Sequence, residues 1–262
     1  MKEVDEIMFN FDAKFNEHIL KGIVTGYKDY IKVRNHANST MEISDAYAYV
    51  KANHIDDQVA KHVSKFAEAS RQSAGPSWKY LMFQLNDEST TTGFKFILKN
   101  ELYFNANNVT EGKKLIEDKK SVRYLEELIK NNKDVNFGKI ENEFKVEHQI
   151  SGESLLFNQP HDNHDKNNNE IKFIIITYGI DYSSKMLNAV KIWAPNPLNK
   201  KAVLLRDLTM ELNELIKYDE DYALENEELK VLQNDEEEKY VDPTFAFGIL
   251  PNENNDIDKS VN

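Results

Sequence analysis

The period of the hydrophobic pattern changes at Gly75-Pro76, and that change confines the chain to folds that mix helices with a sheet. Before the break, Val4, Ile7, Met8, Phe11 and Phe15, then Ile19, Ile23, Tyr27, Tyr30 and Ile31, recur every three or four residues. That spacing gives one apolar stripe along a helix. Gly22 and Gly26 interrupt it, so the reading predicts a bend or a division into two helices. Ser44 has the chemistry of an N-cap for a second helix, carrying Tyr47 and Val50 and ending near Asn53. A third is expected from Asp56 through Val59, Val63 and Phe66, stopping before Gly75-Pro76.

After the break, apolar and polar residues alternate. Residues 78–85 and 94–99 read as an antiparallel hairpin across the polar run 86–93, with a further short strand at Leu102–Phe104. Helix is expected at 111–131 and strand at 139–148. Ile171–Tyr178 is the most apolar strand and is placed centrally. Leu187–Trp193 returns beside it and is stopped by Pro195 and Pro197. Helix is expected again over 203–217. The predicted class is α+β, a mainly antiparallel sheet with N-terminal helices packed on it, in a single domain from residue 1 to 218.

Charge separates the rest. Residues 219–262 hold 14 acids and 3 bases, while the first 218 residues hold 31 acids and 30 bases. The expectation is an acidic, partly disordered tail with a short apolar island at 245–250. The near-neutral body offers no electrostatic footprint for phosphate backbones. The chain has no cysteine, which removes disulfides, thiolate metal sites and cysteine nucleophiles. Acids within the first six residues are unlike a secretory leader, so a cytoplasmic location is expected, without membrane association.

Catalytic motifs are sparse. Neither a G-x-S-x-G elbow nor a phosphate-binding glycine loop occurs. Glu143-Phe144-Lys145 has the acid-any-lysine form of restriction-type nucleases, with Asp134 as the upstream acid. Such groups on one strand face would hold Mg²⁺ and activate water. Glu141 and Glu147 share that face, however, which is equally the pattern of an ordinary solvated strand. His161, His164 and Asp165 have metal-ligand chemistry, but they lie in a polar loop with no supporting residues. Residues 44–73 have the length of a helix-turn-helix, with Lys61, His62, Lys65 and Arg71 exposed. Asp56 and Asp57 at the start of its reader helix would repel phosphate. Aromatic residues at 78, 80, 83, 94, 96, 103 and 104 could form a stacking platform, but with few nearby cations they fit a core better.

Lysine, asparagine and isoleucine are abundant, as expected of an AT-rich genome. The stretch Tyr47-Ala48-Tyr49-Val50-Lys51-Ala52-Asn53-His54-Ile55-Asp56-Asp57, with Trp78-Lys79-Tyr80, resembles uncharacterised proteins of phages and mobile elements of AT-rich bacteria. That resemblance carries no activity and no residue role. The functional expectation is a non-enzymatic binding or regulatory protein without cofactor, an accessory factor in phage–host conflict. Its protein partner would meet Phe245, Phe247, Ile249 and Leu250. A metal-dependent nuclease and a DNA-binding regulator are the alternatives.

Overall fold

The computed structural model describes residues 13–74, 79–85, 92–111, 123–138, 140 and 170–233. Within them, α1 (Ala13–Thr40) is followed by a 3-10 turn (Asp45–Val50), α2 (Lys51–His62), β1 (Ala67–Ser73), β2 (Lys79–Leu85) and β3 (Thr92–Asn100). Then come α3 (Arg123–Leu128) with a 3-10 turn (Ile129–Asn132), β4 (Glu170–Ile180), β5 (Leu187–Pro195), β6 (Ala202–Asp207), α4 (Thr209–Tyr218) and α5 (Asn226–Gln233). The fold is α+β.

The six strands form one sheet in chain order, β1-β2-β3-β4-β5-β6. Every neighbouring pair is antiparallel except β3 and β4, which run parallel. A parallel pair needs a long crossover, which residues 101–169 supply. One face carries Phe83, Phe94, Phe96, Ile174, Ile176, Val190 and Ile192 into the main core with α1, α2, α4 and α5. The Phe83 and Phe96 rings stack there at 4.6 Å and 8°, so the hairpin aromatics are core and not an open platform. The other face carries Met82, Ile97, Phe173 and Ile175 against Phe104, Val109, Leu125 and Ile129. Because both faces are covered, β4 is apolar on both sides of its pleat, which explains its uninterrupted hydrophobic run.

The β4–β5 ladder begins only at Ile175 and Trp193. Below it Asn132 stands in for a strand. Its Nδ2 donates to Phe173 O at 2.8 Å and Pro195 O at 2.9 Å, and its Oδ1 accepts from Phe173 N at 2.8 Å. The side chain is fully buried, so these bonds face no competition from water.

The glycines of α1 do not break it. A Cβ at Gly22 would lie 2.7 Å from Val59 Cα, and one at Gly26 would lie 2.5 Å from Ile55 Cα. The helix is one piece of 28 residues, and its glycines are where the backbone of α2 rests on it. Four other local expectations change. The helix expected to end near Asn53 and the one expected from Asp56 are a single helix, Lys51–His62, preceded by a 3-10 turn. Residues 67–73 are strand, held by seven ladder positions opposite β2. Residues 101–103 are a turn. Residues 202–207 are strand β6, and helix begins only at Thr209.

The folded body also continues past residue 218. Leu224, Leu229, Val231 and Leu232 are buried in the main core. Burying each such side chain contributes about 1.5–3 kcal/mol, enough to hold an acidic segment that carries them. Lys28 Nζ donates to Asp221 O at 2.9 Å and Ala223 O at 2.8 Å, and Asn35 Nδ2 donates to Glu228 O at 3.1 Å. The first part of the acidic segment is therefore docked along α1, and the folded body reaches at least through α5. Residues 234–262, including the island at 245–250, lie outside the described residues.

Candidate functional site

α1 and α2 are antiparallel, as the Gly22–Val59 and Gly26–Ile55 approaches require. The last turns of α1 therefore project beyond the start of α2, and residues 41–50 fold back along them. Arg34, 1% exposed, fixes this return: its Nη1 donates to Ser44 O at 2.7 Å. Between the helix end and the 3-10 turn lies an open groove of about 350 Å³, lined by Lys32, Val33, His36, Ala37, Thr40, Met41 and Tyr47. Of its lining, Met41 is 47% exposed, and the neighbouring segment carries two further exposed hydrophobes, Ile43 at 77% and Tyr49 at 39%. Single exposed hydrophobes are ordinary, but several on one short segment that also lines a concave apolar surface are the pattern of an interaction site.

A second unusual group lies midway along α2. The β2–β3 ladder joins Phe83–Leu85 to Phe94–Phe96 and does not reach Leu81. There Asp56 Oδ2 accepts from Leu81 N in a long 3.4 Å contact. Asp56 keeps some surface open to solvent, but its carboxyl group is enclosed, and that burial pushes its pKa up to about 7. Tyr178 on β4 is raised as well, first by its own burial and then by Asp56. Asp56 was readable only as an acid near the start of a reader helix. Its burial follows from where β2 runs, which no local pattern reports.

The sign of the Asp56 effect follows from its two proton affinities. The folded protein holds this proton up to about pH 7, whereas an ordinary aspartate loses it near 3.8. Between those values the folded state binds more protons, so stability falls as pH rises through that window and is flat on either side. Asp56→Asn keeps an acceptor for Leu81 N without the charge. The variant should gain thermal stability relative to wild type between pH 4 and pH 8. Parallel melting-temperature curves across that range would contradict this.

The sequence-derived candidates fall as follows. Asp134 is exposed, with Lys133 Nζ at 4.0 Å. Glu143 and Lys145 lie outside the described residues, as do His161, His164, Asp165, Phe245, Phe247, Ile249 and Leu250. Among the described residues no group of three or more His, Asp or Glu could hold a metal ion. The helix-turn-helix reading is corrected: Lys61 and His62 end α2, Lys65 lies in the turn after it, and Arg71 is on β1. No described helix is long and apolar enough to cross a membrane.

The groove itself escaped the sequence reading. Its only trace was Met41 and Ile43 standing between two helices with no partner in either stripe. Compared with protein-family models, curated proteins and solved structures, the chain matches none of them.

Proposed function

We propose that the protein is a binding or regulatory protein that engages another protein through the groove at the projecting end of α1. The observation that carries this reading is an open concave surface lined by Val33, Ala37, Met41 and Tyr47, with exposed Met41 in it and exposed Ile43 and Tyr49 on the same short segment 41–50. The groove volume suits one or two anchoring side chains of a partner segment. Val33, Ala37, Met41 and Tyr47 supply the apolar contact, and Lys32 and His36 favour an acidic residue beside the anchors. A role as accessory factor in phage–host conflict rests on the resemblance of residues 47–57 and 78–80 alone.

A photo-reactive residue at position 43 tests the reading in cells that make the protein. It should cross-link one discrete partner, whereas the same residue at Leu198, 91% exposed and not part of the groove lining, should not. Ile43→Asp should abolish capture of that partner by the otherwise native chain and leave its melting temperature unchanged, since the side chain is 77% exposed. Equal cross-linking from both positions, or capture that survives Ile43→Asp, would defeat the proposal.

A further inference from the structure

The two edges of the sheet are built differently. At one, the β6 ladder slips by a residue between Leu204 and Arg206, and half-buried Val203 and Leu205 pack against Val135, Phe137 and Ala194. A bulge and a cover of this kind keep an edge from pairing with other chains. At the other, β1 holds an unbroken register opposite β2 from Ala67 to Ser73. It contains no proline and no lysine, and its one acid and one base, Glu68 and Arg71, cancel. Every side chain after Ala67 is exposed, on both faces of the pleat, so no helix overhangs the strand. Among the described residues no strand pairs with its outer side. The outward N–H and C=O groups of such a strand are a template for another strand.

We infer that β1 pairs antiparallel with β1 of a second copy of the chain, joining two six-stranded sheets across a two-fold axis. An axis perpendicular to the sheet sets one residue opposite its own copy. Ser70 is the midpoint of β1, and only with Ser70 on the axis do all seven residues pair. Glu68 then faces Gln72 of the second copy, twice over, and Ala69 faces Arg71. Centres at Glu68 or Arg71 would shorten the ladder and oppose like charges, which destabilises a strand pair. Glu68, Ser70 and Gln72 lie on one side of the pleat. Gln72 Nε2 donates to Ser70 Oγ at 3.1 Å, which leaves its second hydrogen for the carboxylate of Glu68 across the interface. β1 shares no residue with the lining of the groove at the end of α1, so either proposal can fail without the other.

Sedimentation equilibrium of the full chain tests the pairing. At about 0.15 M salt the repulsion between exposed charges is screened beyond about 8 Å, so the net charge does not mask association. The wild type should show a reversible monomer–dimer equilibrium. Ser70→Lys sets two ammonium groups face to face on the axis and should weaken the dimer about ten-fold or more. Ser70→Ala gives up the 3.3 Å contact with Met82 O but adds no charge, and should leave the dimer within about two-fold of wild type. Circular dichroism of each variant confirms the native fold.

The chain has no cysteine, so Ser70→Cys supplies a single thiol. Directly opposed Cβ atoms stand about 4.5–5.5 Å apart, close enough for mild oxidation to link the two copies. Glu68→Cys sets the two thiols four residues out of register, about 13 Å apart, and should not be linked by the same treatment. A wild-type chain that stays monomeric at millimolar concentration, a dimer as tight in Ser70→Lys as in wild type, or linkage as fast at position 68 as at position 70 would each overturn the pairing.

Discussion

Replacing Gly26 with alanine should destabilise the protein by about 2–3 kcal/mol, although the same change in an exposed helix would stabilise it by about 1 kcal/mol. The sign is decided by what the new methyl meets. It would sit 2.5 Å from Ile55 Cα, 2.7 Å from His54 O and 2.9 Å from Ile55 N. All three are backbone atoms, so no side-chain rotation relieves the clash, and α2 must move off α1 as a body. That movement loosens Ile55 and Val59, both fully buried, from the core beneath them. Gly22→Ala should behave in the same way but less severely, because one of its close contacts is the Val59 Cγ2 methyl at 2.9 Å, which can turn aside. Denaturant midpoints of the two variants and the wild type check the order. A Gly26→Ala midpoint at or above wild type would show that the helices have room the structure denies.

Asn132→Ala should cost about 3–5 kcal/mol, more than a typical surface or even core substitution. The amide donates twice and accepts once, and all three bonds go to main-chain groups of β4 and β5. Alanine would leave the Phe173 N–H without its acceptor in a place sealed by Phe173 and Ala194, both 0% exposed. A buried main-chain donor left unpaired carries its full desolvation penalty, about 1–3 kcal/mol by itself. Asn132→Asp should rescue little, because it removes both donors and introduces a charge where water cannot reach. Amide hydrogen exchange gives a local readout. Protection at Phe173 should fall by orders of magnitude in Asn132→Ala, ahead of the rest of β4. Unchanged exchange at Phe173 would mean that another group satisfies that amide.

The two effects also show why these residues escaped the sequence reading. Glycines in a helix and an asparagine after one are weak local signals, because their role is set by the element that comes to rest on them.

What the sequence determined by itself was whatever depends on local period. The alternation at 79–85 and 92–100 forms the hairpin because side chains of a strand must point to opposite faces. The apolar run Phe173–Ile176 lies inside the sheet because a strand covered on both faces carries apolar residues on both sides of its pleat. Tertiary structure decided the ambiguous segments. Val203, Leu204, Leu208 and Leu212 fit a helical stripe, yet β5 captured 202–207 as an edge strand, since ladder bonds outweigh a weak helical preference there. Ala67–Ser73 is exposed beyond its first residue and is strand only because β2 lies beside it. The acidic segment after 218 was read by its charge, but Leu224, Leu229, Val231 and Leu232, buried in the main core, outweigh solvated carboxylates in holding 219–233 to the folded body. Local chemistry sets which conformations a segment can adopt at low cost. Where two of them are nearly equal, the choice belongs to the contacts made far away along the chain.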